Sequence, residues 1–112
     1  MERKEVIRLF RKIVGELGLK DVKIRIIPMK RKIASFSFKT KTLRVNRNVI
    51  EFFDEKLMRF ILLHELAHFK VNDVNHGERF FKELEKYYPN NMENLEIEII
   101  KRIFPTLNKG ST

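Results

Sequence analysis

His64, His68 and His76 are the only imidazoles among 112 residues, and all three fall within the stretch ILLHELAHFKVNDVNHGERFF, residues 61–81. On an α-helix, residues four apart stand one above the other, so His64 and His68 would present two imidazoles from one face. Two nitrogens at that spacing can chelate one zinc ion at about 2.0–2.1 Å each. Glu65 lies roughly 100° further round the helix. From there its carboxylate can reach a water activated by the ion without ligating the ion itself. Two ligands and a general base are what the H-E-x-x-H spacing encodes. The chemistry would be metal-assisted hydrolysis: the metal makes water more acidic, the carboxylate takes its proton, and the water attacks a polarised carbonyl.

The surrounding residues strengthen this reading. The polar stripe of the segment is carried by Glu55, Lys56, Arg59 and Lys70. His64, Glu65 and His68 fall on the opposite, apolar side with Leu57, Met58, Ile61 and Phe69. An ionised carboxylate on a face that should be buried is costly unless something compensates it. A metal site lining a cleft would do so.

A catalytic zinc site takes three protein ligands and leaves a fourth position open. The longer metzincin pattern would need glycine at residue 71 and histidine at residue 74, where Val71 and Val74 stand, so that class is excluded. His76 follows the helix-breaking NDVN and falls in the first turn of the next helix, where the chain can double back towards the metal. It is the expected third ligand. Glu83, on the same edge of that helix, is the fallback.

The elements that must position these groups can be read from periodicity. Residues 2–17 have helical spacing, with Val6, Phe10, Ile13, Val14 and Leu17 on one side and Gly18 just past the end. DVKIRII reads as a first strand, stopped at Pro28. KIASFSFKTKT sets Ala34, Phe36 and Phe38 against Ser35, Ser37 and Lys39, a half-buried strand. TLRVN follows, so residues 33–46 predict an antiparallel hairpin. Asp54 can cap a long helix to about Val71, and Asn75 another from His76 to about Tyr88. Pro89 and two asparagines end that helix, and a last one is expected over residues 92–104. The order is one helix, three strands and three helices, an α+β domain spanning residues 1–112.

Composition narrows the function classes. With 43% hydrophobic residues the chain can build a core, and without cysteine it has no disulfide, thiolate metal site or cysteine nucleophile. The N-terminus lacks the apolar run of a signal peptide. The longest apolar run, residues 60–63, is far too short to cross a bilayer. A cytoplasmic protein with no membrane partner is expected. The formal net charge is +9. The basic residues look scattered apart from Lys30, Arg31 and Lys32, and no aromatic residues interleave with them to stack bases. A solvated, thermophile-like surface is therefore favoured over a nucleic-acid partner.

FILLHELAHFKVNDVNHGERFFKELEKY, preceded by ASFSFKTKTLRVNRNVIEF, resembles the minigluzincins, small soluble zinc metallopeptidases related to the gluzincins. The resemblance implies a small zincin-like fold and a metalloendopeptidase with one zinc ion. In it, His64, His68 and His76 would be the ligands and Glu65 the general base and acid. Most gluzincins use glutamate as the third ligand, so His76 departs from them while suiting the smaller family. The resemblance also implies an extended peptide substrate along an edge strand, here Ser35, Phe36, Ser37, Phe38, Lys39 and Thr40. Tyr87 and Tyr88 are candidates for stabilising the oxyanion. Residues 1–88 would form the catalytic scaffold. Residues 89–112 would be a latency segment that fills the substrate cleft of its own chain or, by self-association, of a neighbour. Two alternatives remain: a DNA-associated protease like Spartan, and a non-catalytic, zinc-stabilised binding module.

Overall fold

A computed structural model of the chain describes residues 1–70 and 78–86. Helix α1 (Arg3–Leu17) buries Val6, Leu9, Phe10, Ile13 and Leu17, which recur at helical spacing. Leu9 takes the inward place expected of Val14, which is half-buried. At its start the Glu5 carboxylate accepts the backbone N–H of Glu2 at 2.9 Å. Just before it, the Met1 ammonium donates to the carbonyls of Ile50 (2.6 Å) and Phe53 (2.9 Å). Those bonds fasten the N-terminus to the 3-10 turn Ile50–Phe52. Gly18 ends the helix at φ 68°, a left-handed conformation that glycine adopts without a Cβ clash.

Strands β1 (Lys23–Ile27), β2 (Ala34–Ser37) and β3 (Thr42–Asn46) form one sheet in the order β1-β3-β2. β2 and β3 pair antiparallel as the hairpin pattern predicts, whereas β1 pairs with β3 in parallel. Opposed residues share a face, so Ile26, Leu43 and Val45, all buried, lie on the helix side with Ala34 and Phe36. The strand expected to run on through Thr40 stops at Ser37, because residues 38–41 turn the chain back. Lys41, at φ 52°, closes that turn.

Asn46 ties the β1–β2 connection to the sheet. It is fully buried. Its Oδ1 accepts the backbone N–H groups of Met29 (3.1 Å) and Asn48 (2.9 Å). Its Nδ2 donates to the carbonyls of Met29 (3.0 Å) and Lys32 (2.8 Å). One side chain thus satisfies three backbone groups of a loop that has no ladder of its own, and a fourth just after β3.

Helix α2 (Glu55–Lys70) begins where Asp54 accepts the Leu57 N–H at 2.9 Å, an N-cap as expected. It is buried around most of its circumference, with Leu57, Met58, Leu62, Leu63 and Leu66 at 1% exposure or less. Arg59, part of the expected polar stripe, is drawn down by an ion pair with Glu16 of α1. Helix α3 (Glu78–Glu85) packs against α2. His76, Tyr87, Tyr88 and the expected C-terminal helix lie outside the described residues. No described helix is long and apolar enough to cross a membrane.

Candidate active site

α2 carries the candidate chemistry in its second half. The His64 and His68 rings have centroids 5.4 Å apart and planes at 75°. If one ion lay about 2 Å from a nitrogen of each ring at a tetrahedral angle, the centroids would stand roughly 5 Å apart. The pair therefore has the spacing of two ligands of one metal. Each ring is also held in place. His68 is 7% exposed, and the half-buried His64 lies edge-on to Phe60, one turn earlier, at 6.1 Å.

Glu65 is half-buried between them in sequence. Burial pushes its carboxyl up to about 7, and the positive charge of Lys32 pulls the other way. A carboxyl balanced near neutrality can both accept and return a proton at physiological pH. Lys32 lies on the connection that Asn46 anchors through the Lys32 carbonyl. Asn46 thereby fixes the backbone of the charged residue that acts on Glu65. Sequence reasoning missed this asparagine, and nothing in the local pattern sets it apart from Asn48 two residues on.

β2 is an edge strand, as substrate binding along it would require, and it packs against α2. Ser35, Phe36 and Ser37 lie on the strand, while Phe38, Lys39 and Thr40 lie in the turn that follows. Phe36 stacks on Phe69 at 5.0 Å. Phe38 meets both rings edge-on, at 5.6 Å from Phe36 and 6.3 Å from Phe69. Since Phe69 follows His68, this aromatic cluster pins the edge strand to the end of α2 that bears the histidines.

Glu83 sits 8% exposed between Lys70 Nζ at 2.7 Å and Lys86 Nζ at 3.0 Å. The Lys70 ammonium pairs with Oε1 and the Lys86 ammonium donates to Oε2. Burial pushes this carboxyl up, yet the two ammonium groups outweigh it and hold the carboxyl below its usual range. Among the described residues, no three His, Asp or Glu side chains converge as a metal cluster. α2 supplies two candidate ligands, and Glu83 is engaged by lysines.

α2 thus carries a histidine pair with a desolvated glutamate between them, on the helix that packs against the edge strand. The chain belongs to the YgjP-like metallopeptidase domain family, whose sequence profile matches residues 2–97. An uncharacterised protein of Methanocaldococcus jannaschii is 46% identical over 103 residues, covering 90% of this chain and 94% of its own. The crystal structure of the metallopeptidase zymogen of Methanocaldococcus jannaschii jannalysin superposes with a TM-score of 0.81 at 46% identity, covering 88% of this chain and 96% of that one. The metallopeptidase zymogen of Pyrococcus abyssi abylysin superposes with a TM-score of 0.80 at 35% identity, covering 88% and 94%. The minigluzincin resemblance read from the sequence is borne out by these matches.

Proposed function

We propose that the protein is a latent zinc endopeptidase in which His64, His68 and His76 hold the metal and Glu65 is the general base and acid. The observation that carries this reading is the His64–His68 ring separation of 5.4 Å beside a glutamate whose carboxyl burial has raised to about 7. Zinc, when bound, would supply Lewis acidity towards water and the scissile carbonyl. Glu65 would accept the proton of the attacking water and return it to the departing amine. The edge of β2, which pairs with no strand but β3 among the described residues, offers backbone donors and acceptors to an extended peptide, which gives sequence-tolerant affinity. Phe36, Phe38 and Phe69 hold that edge in register with the histidines.

Latency is proposed because the two solved relatives are described as metallopeptidase zymogens. In this chain the blocking segment would be residues 89–112, contributed by the same chain or a neighbouring copy. The test compares cleavage of a quenched fluorogenic peptide library by the full chain, by a chain ending at Tyr88 and by one ending at Ile97, where the family match stops. At least one shortened, folded, zinc-loaded chain should cleave faster than the full chain, and Glu65→Ala in that chain should abolish cleavage while zinc stays bound. Equal activity in folded full-length and shortened chains would refute latency. Zinc retention with no cleavage in any form would refute the peptidase and favour a binding module.

A further inference from the structure

The net charge of the chain is concentrated in one place. Of its 24 basic and 15 acidic residues, nine basic and no acidic ones fall between residues 22 and 50, which leaves 15 of each elsewhere. That stretch holds all three strands, and its nine lysines and arginines are all exposed. Three of the nine, Lys23, Arg25 and Arg44, lie on the strands themselves.

The register shows how. With Ile26, Leu43 and Val45 turned to the helices, the alternate positions face away from them. Arg25 stands directly opposite Arg44 across the β1–β3 pair, and Ser35 stands opposite Arg44 on the other side. The neighbouring row is Lys23, Thr42 and Ser37. These two rows contain hydroxyls, guanidinium groups and an ammonium, but no carboxylate and no apolar side chain. Among the described residues no acidic group pairs with Lys23, Arg25 or Arg44. Like charges directly opposed across strands are destabilising, so the pairing of Arg25 with Arg44 points to a ligand that neutralises both.

We propose that the outward face of the β1-β3-β2 sheet binds the phosphate backbone of duplex nucleic acid. The chemistry of the face selects this occupant. Guanidinium forks match phosphate oxygens in bidentate fashion, and the half-buried Ser35 hydroxyl beside Arg44 adds a donor. The spacing from Lys23 to Arg25 along β1 is about 7 Å and from Arg25 to Arg44 about 5 Å, so the cations can meet successive phosphates. The absence of aromatic side chains from these two rows argues against a single strand, whose binding relies on stacked bases. Ile27, half-buried in the next row, is the one apolar side chain that the strand positions add to this face, too little to insert into a membrane surface. Contacts made to phosphates carry no sequence information, so binding through them is expected to be independent of sequence. This surface lies on the opposite side of the sheet from α2, and the inference does not depend on the peptidase reading.

The experiment is fluorescence anisotropy of a labelled duplex titrated with the full chain across a salt series. Neutralising three phosphates predicts a slope of log affinity against log salt of about −2.7. The variant Arg25→Ser/Arg44→Ser should lose at least tenfold in affinity at low salt, with the slope shallower by about 1.8. Arg25→Lys/Arg44→Lys should keep the slope while weakening binding severalfold, since charge is retained and the fork is lost. Arg8→Ser/Arg11→Ser on α1 removes the same charge elsewhere and should change affinity less than twofold. The serine variant should melt at the same or a higher temperature in low salt, because the like-charge pair is gone. The proposal is overturned if the wild-type chain fails to bind at low salt, or if the α1 variant loses as much as the sheet variant. It is also overturned if anionic lipid vesicles or polyglutamate compete as well as duplex at equal charge.

Discussion

Replacing Glu65 by glutamine separates what this side chain does for catalysis from what it costs the fold. Its carboxyl titrates near 7 in the folded chain against an ordinary value of 4.5, because burial disfavours the charge. Between those two values the folded state holds a proton that the unfolded state has released. Stability contributed by this group therefore falls as pH rises through that window. Each pKa unit is worth about 1.4 kcal/mol. Integrating from pH 5 to pH 8 removes about 2.5 kcal/mol from the metal-free protein, a large share of the ~5–15 kcal/mol that holds a small domain together. For a chain of this length that is a fall in Tm of roughly 10 °C. Glutamine fills the same space without ionising. The assay is thermal unfolding of chelator-treated wild type and Glu65→Gln at pH 5 and pH 8, read as the change in their difference. Glu65→Gln should approach or exceed wild type in stability at pH 8 while losing about 10²–10⁴ in peptidase rate. If the Tm difference is the same at both pH values, the glutamate is not desolvated as described and the proton-shuttle reasoning fails with it.

Two further substitutions probe the rest of the site. His76→Ala should lower the bound zinc of the full chain to well below one equivalent, whereas Glu83→Gln should leave it unchanged, since Glu83 is held by Lys70 and Lys86. Metal analysis after gel filtration decides it, and the opposite pattern would make Glu83 the ligand. Asn46→Ala should destabilise the fold by about 2–4 kcal/mol, because it strands four buried or half-buried backbone groups. Denaturant titration checks this, and a loss under 1 kcal/mol would mean that water replaces the amide.

The periodic parts of the fold were legible because their physics is local. The core face of α1, its stop at Gly18, the Asp54 cap of α2 and the β2–β3 hairpin all follow from spacing and turn chemistry within a few residues. The parallel pairing of β1 with β3 was not legible. It joins residues 19 apart, such as Lys23 and Thr42, and depends on the β1–β2 connection that Asn46 pins. The same long-range register hid the basic face, since Arg25 and Arg44 become neighbours only once that pairing exists. Glu83 shows a similar limit. Its position on the helix edge made it a candidate ligand, but Lys70 lies on another helix, and no local pattern announces that contact.

The site also follows from how little of α2 reaches water. A helix buried on most sides cannot roll or fray, so His64 and His68 keep their mutual geometry without a metal to impose it. Preorganisation of this kind spares an enzyme from ordering its ligands at each binding event. The same burial raises the Glu65 carboxyl towards neutrality, where a proton shuttle works best. Leu62, Leu63 and Leu66, next to the site in sequence, are each at 1% exposure or less. At about 1.5–3 kcal/mol per buried aliphatic side chain, they supply more than enough to offset the ~2.5 kcal/mol that the glutamate costs between pH 5 and pH 8. Core packing and catalytic poise are thus one property of α2, and a mutation that loosens Leu62 or Leu66 should lower the Glu65 pKa as well as the stability.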